Sequence, residues 1–157
     1  MKQTFFSLVS VFAFSTLVLA RPTGSFSKDF PKRWVEISYN RRTGFHNRVG
    51  PCENGRTLRF SESTPGRWTL QETGTHESHD FEVKKIENLK SGYKLSLAAN
   101  LSWEPKGKTK VLILKWHNRS QKILSQGIGS DLKIFYVPEG SEKKFKQVAI
   151  PAEGDEC

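Results

Sequence analysis

The sequence is poor in cysteine and lacks the short motifs that mark common enzymes. Its 157 residues include two cysteines, Cys52 and Cys157. Two are too few for a small scaffold held together mainly by disulfides, so a hydrophobic core must supply most of the stability. Neither a Gly-x-Ser-x-Gly nucleophile motif nor a glycine-rich phosphate loop occurs. We therefore predict that the protein is not an enzyme and has no catalytic residue, cofactor or metal.

Long apolar runs are also missing after the first twenty residues. Before that point, Lys2 precedes an apolar run over residues 5–19, and Val18 and Ala20 occupy the small-residue positions that signal peptidase requires. A run of about fifteen residues is shorter than the roughly 20 that span a bilayer. Residues 1–20 are therefore predicted to be a cleavable signal with Ala20 at the cut. We expect the mature protein to be soluble, secreted and extracellular, with no membrane span.

Secretion sets expectations for the cysteines and for two asparagines. In an oxidising pathway an even pair of cysteines usually forms a disulfide, so Cys52 and Cys157 are predicted to pair. The alternative is a free terminal thiol at Cys157. A bridge that closes so long a loop would stabilise the fold by about 4–5 kcal/mol in a chain-entropy model. Asn100-Leu101-Ser102 and Asn118-Arg119-Ser120 are sequons, so both asparagines are predicted to carry glycans.

Residues 21–33 are polar and rich in turn-forming residues, with no periodicity. They are predicted to be a disordered leader that ends in the dibasic pair Lys32-Arg33, which resembles a kexin-type processing site of fungal secretory pathways. Cleavage there would make 21–33 a pro-segment, and the alternative is an uncut flexible tail. The remaining residues, 34–157, have the length of one domain, which we expect to be monomeric.

From Trp34 onward, apolar residues recur with a period of two, and turn pairs such as Gly-Pro, Pro-Gly and Ser-Gly separate the runs. This pattern predicts a mainly β domain, either an antiparallel β-sandwich or a partly closed barrel of about seven to eight strands. The continuous run Val111–Leu114 predicts a central strand buried on both faces, and 145–150 predicts the last strand. Residues 80–91 fit a short helix as well as a strand, so an α+β ribonuclease-like fold is the alternative.

Acidic residues are outnumbered, with 16 Asp and Glu against 25 Lys and Arg and a net charge of +9. Such an excess favours anionic partners, including nucleic acid, acidic lipid headgroups, polyanionic glycans and acidic protein faces, although an ordinary solubilising surface is an equal alternative. The residues predicted to bind an anionic partner are Arg41, Arg42, Lys106, Lys108, Lys143 and Lys144. An arginine-rich N-terminal part also includes Arg48, Arg56, Arg59 and Arg67.

Two sets of polar residues offer chemistry. The cluster His76–Asp80 holds two histidines and carboxylates, but its spacing matches no metal motif, so a solvated hairpin tip is preferred. Acid–base cleavage of RNA would need a base, an acid and a cation for the phosphate. The candidates for these roles are His46, His117, Glu53, Glu62, Glu72, Arg59 and Arg119.

The stretch Tyr-Asn-Arg-Arg-Thr-Gly-Phe at 39–45 resembles the Tyr-Asn-Asn-x-x-Gly-Phe stretch of small secreted fungal guanyl-specific ribonucleases. Residues 129–135 and the terminal Glu156-Cys157 resemble the end of the same family. The stretch at 39–45 precedes Cys52, whereas the family places it inside the bridged loop. Residues 149–152, Ala-Ile-Pro-Ala, stand where that family carries its catalytic histidine. The resemblance therefore implies a ribonuclease-like scaffold that has lost its activity.

The whole chain resembles, in architecture rather than in motif, a small secreted effector of a plant-pathogenic fungus. The host-selective toxin A family, a disulfide-tied β-sandwich, and the smaller MAX effectors are the fold relatives that this resemblance implies. It further implies a virulence effector that binds a host protein or an anionic host ligand and modulates plant immunity or cell death, with translocation into host cells as one route. The alternatives are an inactive ribonuclease-like protein and a polyanion- or carbohydrate-binding module.

Overall fold

The computed structural model describes residues 24–49, 55–74, 77–99, 109–128 and 132–149. Within these ranges the chain is almost entirely strand, and its helical content is one 3-10 turn at Glu142–Lys144. The strands are β1 (Arg33–Asn40), β2 (Gly44–Val49), β3 (Thr57–Thr64), β4 (Arg67–Thr73), β5 (Ser78–Leu89), β6 (Gly92–Ala99), β7 (Thr109–Asn118), β8 (Ile123–Ile128), β9 (Leu132–Pro138) and β10 (Lys146–Ala149). The predicted mainly β fold is confirmed.

Eight of the described strands close into an antiparallel barrel. Neighbours in the order β1-β3-β4-β5-β6-β7-β8-β9 are hydrogen-bonded, and β1 also pairs with β9, which completes the ring. β1 pairs with both β3 and β9: its residues Arg33–Val35 pair with β3 on one side, and its residues 34–37 pair with β9 on the other. The barrel is closed, whereas the sequence pattern had left a sandwich or a partly closed barrel as the alternatives.

The barrel interior is filled by side chains. Alternate residues of each strand point inward, as the two-residue period of a strand requires. Large side chains with less than 2% exposure include Trp34, Leu58, Phe60, Leu70, Leu95, Leu114 and Tyr136. Full burial of such a side chain stabilises the fold by roughly 1.5–3 kcal/mol, so this interior is the main source of stability.

The segment before β1, residues 24–32, closes one end of the barrel, and we call it the plug. Phe26 and Phe30 are each 7% exposed, and their rings stack with 4.2 Å between centroids. Trp34 Nε1 donates a hydrogen bond of 2.8 Å to the Pro31 carbonyl oxygen, which fixes the turn into β1. This packing contradicts the predicted disorder of residues 24–33. Two isolated aromatic residues produce no periodic pattern, although they fit the open end of a barrel.

β2 and β10 form a ribbon on the outside of the barrel. β2 pairs with residues 38–40 of β1, and β10 runs parallel to β2, with Lys146 opposite His46. The ribbon covers a second, smaller core on the outer barrel wall. That core consists of Ile37, Ile123, Phe135 and Val137, with Val35, Phe45 and Phe145 packed against them. A last strand was predicted here, and its described part is β10.

Two local predictions differ from the structure. Residues 80–89 belong to the strand β5 rather than to a helix. A bulge between Val83 and Lys85 interrupts the alternation of inward and outward side chains, so that Val83 and Ile86 both point inward and are buried. Their separation of three residues is also the spacing of residues on one face of a helix. The run Val111–Leu114 is buried on one face only, since Val111 is 52% exposed on the solvent-facing outer wall.

Among the residues described, no helix has the length and the apolar composition needed to cross a membrane.

Candidate functional site

An arginine-lined groove of about 650 Å³ lies between the barrel wall and the ribbon, and we call it the arginine groove. One side is formed by β1, β3 and β4 of the barrel, and the other by β2 and the 3-10 turn. Among the described residues of its lining are four arginines and two glutamates. The charged residues of the lining are Arg33, Arg48, Arg56, Arg59, Glu36 and Glu142.

The alternation of the strands explains why these arginines face outward. Trp34 and Leu58 are fully buried in the barrel, so their neighbours Arg33 and Arg59 point to the opposite face of the sheet. The register sets Arg33 directly opposite Arg59 across β1 and β3. The side chains of Arg33 and Arg59 therefore start from adjacent positions on the outer wall of the barrel, and both line the arginine groove.

The two arginines of this pair differ in their partners. Arg33 Nη1 contacts Glu139 Oε1 at 3.0 Å, and both side chains are about half exposed. Arg59 lies opposite Gln71 on its other side, which is neutral. In the part of the chain that the structure describes, no carboxylate lies within ion-pair distance of Arg59. Arg59 is therefore available to an external anion.

Glu36 holds the backbone at one end of the arginine groove. Its Oε2 accepts a hydrogen bond of 3.0 Å from the backbone N–H of Arg56, and its own N–H donates to the Arg56 carbonyl oxygen at 2.9 Å. These two bonds extend the β1–β3 pairing by one residue. Both bonds are made by the backbone of Arg56, so they fix its position at the groove and leave its guanidinium group outside these hydrogen bonds.

A separate polar layer lies inside the barrel, near the end opposite the plug. The Tyr136 hydroxyl, which is fully buried, donates a hydrogen bond of 3.0 Å to Gln126 Oε1. Burial raises the pKa of the Tyr136 phenol, and the charges of Glu72 and Glu36 raise it further. Glu72 in turn accepts a hydrogen bond of 3.2 Å from Lys110 Nζ, which lies 4.8 Å from the Phe81 ring centre. These groups satisfy one another, so this layer supports the interior.

The structure separates the residues that were considered for RNA cleavage. Glu72 lies inside the barrel, Arg59 faces outward, and Glu62 accepts a hydrogen bond from Gly66 N–H in the β3–β4 turn. The His117 ring packs against the Phe45 and Phe135 rings on the outer wall. His46 lies on the ribbon, Arg119 lies in the β7–β8 turn, and Glu53 lies outside the described residues. No acid, base and cation from this set form one site within the described ranges.

Of the residues predicted to bind an anionic partner, four are described. Arg41 and Arg42 are exposed in the β1–β2 turn, where Asn40 Oδ1 accepts the backbone N–H of Arg42 at 2.8 Å. Lys143 and Lys144 are exposed in the 3-10 turn. Lys106 and Lys108 lie outside the described residues. Of the groove arginines, Arg48, Arg56 and Arg59 were predicted only as part of an arginine-rich region, with Arg59 also a candidate cation for RNA cleavage, and Arg33 was predicted only as part of a processing site. Nothing in the sequence gave the register of β1 against β3 that brings Arg33 and Arg59 together.

The remaining predicted sites lie mostly outside the described residues. Ala20, Asn100 and both cysteines lie outside the described residues, so cleavage, glycosylation of Asn100 and the Cys52–Cys157 disulfide stay predictions. Asn118 ends β7, and its Nδ2 donates to Gln121 Oε1 at 2.9 Å. In the cluster around His79, Glu77 Oε2 lies 3.0 Å from His79 Nε2, and His76 lies outside the described residues. The described residues contain no group of three or more potential ligands that could hold a metal ion.

In comparisons with known proteins, no family model matches the chain, and neither the curated proteins nor the solved structures gave a match.

Proposed function

We propose that this protein is a secreted, non-enzymatic effector that recognises an anionic group of its host target in the arginine groove. The observation that carries the proposal is the groove itself, about 650 Å³ in volume, whose described lining holds four arginines and two glutamates. Ligand sites commonly measure 300–1,000 Å³, so this groove has room for a ligand and for more than one contact. The planar guanidinium group binds carboxylate, phosphate and sulfate groups through two parallel hydrogen bonds.

Secretion and action on a host rest on the sequence. The predicted signal at 1–20 and the two sequons fit export, and the architecture resembles that of small fungal effectors. An effector without an enzyme motif acts by binding, and binding requires a surface that selects its partner. A groove with several convergent cations provides such a surface, whereas a uniformly basic exterior attracts any polyanion.

The binding test compares two variants of equal net charge. Arg33→Ala/Arg59→Ala removes two arginines from the groove, and Arg67→Ala/Arg119→Ala removes two exposed arginines outside its lining. Affinity for heparin, used as a general polyanion, would be measured over a range of salt concentrations. We expect the groove variant to lose at least about tenfold in affinity and about two units of salt slope, because two charge-assisted contacts disappear. The control variant should stay within about twofold of the wild type.

Equal losses of heparin affinity in the two variants would contradict specific binding in the groove and would show that the binding depends on net charge. Thermal unfolding of each variant checks that the loss of the Arg33–Glu139 contact has not unfolded the barrel. In host plant cells, the wild type and the control variant should alter immune signalling or cell death, and the groove variant should not. A groove variant that is fully active in cells would contradict the proposal.

A further inference from the structure

Arg33 and Arg59 lie directly opposite each other, and the repulsion between their charges would be reduced by an external anion. Like charges directly opposite each other on an antiparallel pair of strands destabilise the sheet. Glu139 offsets the charge on the Arg33 side at 3.0 Å, but the register places neutral Gln71 next to Arg59. The next carboxylate of this row is Asp80, which lies opposite Gln71 on β5, one strand beyond. In the described part of the row, Arg59 therefore has no carboxylate directly beside it, and an external anion would supply one.

Neutral hydrogen-bonding side chains accompany the arginines throughout the groove. They are Ser38, Asn47, Thr57, Gln71 and Thr73. Hydroxyl and amide groups both donate and accept hydrogen bonds, as sugar hydroxyls do. A ligand that presents many hydroxyl groups between its charges would satisfy this lining better than a bare anion would.

Aromatic side chains are absent from the described lining of the arginine groove. Proteins that bind single-stranded nucleic acid stack its bases on aromatic rings, with about 1–3 kcal/mol per base. A nucleic acid strand in this groove would gain phosphate contacts but no stacking. The lining therefore favours a ligand whose uncharged part is polar rather than aromatic.

The arginine positions are spread along the groove. The backbones of Arg56 and Arg59 are three residues apart on nearly extended chain, which corresponds to about 10 Å. Arginine side chains are long enough to converge on one anion or to bind two separate ones. A ligand with repeated charges along a chain would give each arginine its own anionic partner.

From these observations we propose that the ligand of the arginine groove is an acidic oligosaccharide, whose carboxylate or sulfate groups bind the arginines while its hydroxyl groups bind the neutral side chains. This inference rests on the proposed function and narrows it to one ligand class. Carboxylate and sulfate share the chemistry that a guanidinium group recognises, and the experiment distinguishes between them.

The experiment measures binding of the intact secreted chain to four probes of similar length at one salt concentration. The probes are an oligogalacturonate, a heparin-derived oligosaccharide, a neutral cello-oligosaccharide and a single-stranded oligoribonucleotide. We expect one or both acidic oligosaccharides to bind at least about tenfold more tightly than the oligoribonucleotide, and the neutral oligosaccharide not to bind. Their order tells whether carboxylate or sulfate is preferred.

Two variants separate the charge from the hydroxyl contacts. Arg59→Ala should weaken both acidic oligosaccharides and the oligoribonucleotide. Thr57→Val/Thr73→Val keeps every charge and should weaken the oligosaccharides about fivefold or more, because their hydroxyl groups lose partners in the groove. The effect on the oligoribonucleotide should be smaller, because a ribose in the strand carries a single free hydroxyl. The variant also removes the 3.4 Å contact between Thr73 Oγ1 and Ser78 Oγ.

The outcomes distinguish this inference from the proposed function. If the oligoribonucleotide binds as tightly as the acidic oligosaccharides, or if the threonine variant binds them unchanged, the oligosaccharide inference is wrong and anion binding by the groove stands. If no anionic probe binds in an arginine-dependent way, the proposed function is wrong and this inference falls with it.

Discussion

At the scale of single residues, the buried phenol of Tyr136 makes the stability of the fold depend on pH. Burial and the carboxylates of Glu72 and Glu36 raise its pKa. In the unfolded chain a tyrosine ionises near pH 10, so above that pH the unfolded state releases a proton that the folded state retains. The stability that the buried phenol contributes is therefore present below about pH 10 and is lost as the pH rises above it.

We expect the free energy of unfolding to fall more steeply above pH 10 in the wild type than in Tyr136→Phe. Urea unfolding at several pH values between neutrality and pH 11 measures both slopes. The phenylalanine variant also loses the hydrogen bond to Gln126, which shifts its stability at neutral pH but not the slope. Equal slopes for the two proteins would show that the phenol is not buried in the folded state.

Gly92 begins β6 where two backbones approach closely. Its φ is +150°, and a Cβ at this position would lie 2.0 Å from the Leu114 carbonyl oxygen. Gly92→Ala should therefore lower the free energy of unfolding by at least about 3 kcal/mol, because backbone rather than a movable side chain must give way.

Gly127 on β8 is the matched control, because a Cβ there meets nothing within 4 Å. Gly127→Ala should change stability by no more than about 1 kcal/mol, in the stabilising direction. Chemical denaturation measures both variants. A mild effect at Gly92 would mean that β6 and β7 are not packed as closely as described.

At the scale of elements, the plug changes which dibasic pair a protease can reach. The carbonyl oxygen of Lys32 accepts a hydrogen bond of 2.7 Å from Phe60 N–H, and that of Arg33 accepts one of 3.1 Å from Glu139 N–H. Arg41 and Arg42 are instead exposed in a turn. A protease needs an accessible, extended chain, so cleavage after Arg33 requires local unfolding.

Limited digestion of the folded protein with a dibasic-specific protease should therefore cut after Arg42 first and after Arg33 slowly. Phe30→Ala should speed the cut after Arg33, because it removes a plug side chain whose loss costs about 3–5 kcal/mol. Mass spectrometry of timed samples identifies the cuts. Rapid release of residues 21–33 from the wild type would contradict this protection and would support the prediction that the segment is a pro-segment.

The elements also show what the sequence could and could not predict. The period-two pattern was sufficient for the strands because Leu58 and Phe60, or Leu95 and Leu97, alternate without interruption. It was insufficient at β5, where the bulge after Val83 breaks the period, and at the plug, where Phe26 and Phe30 act alone. Pairing depends on contacts distant in sequence, so neither barrel closure through β1 nor the opposition of Arg33 and Arg59 could be predicted.

At the scale of the whole molecule, the barrel and the ribbon differ in how firmly they are held. Leu95 and Leu97 of β6 and Leu114 of β7 are fully buried, whereas all four residues of β10 are exposed. Regions with few buried contacts open at lower free energy than the core does. The ribbon should therefore open without unfolding of the barrel.

Hydrogen exchange followed by mass spectrometry tests this difference. We expect the amides of β2 and β10 to exchange at least about tenfold faster than those of β6 and β7, because the ribbon opens in a local step. Exchange at a single common rate across both parts would contradict independent opening and would make the ribbon a cooperative part of the barrel.

The closure of the barrel through β1 has a consequence for how copies of this chain meet at high concentration. A ring of strands offers a neighbour no row of unpaired amide and carbonyl groups, which is the usual template for sheet growth between molecules. Among the strands that the structure describes, β10 is at the end of the order with no strand paired on its far side, and it begins with Lys146. Fibril formation by strand pairing would therefore start at the ribbon, and a lysine there discourages it.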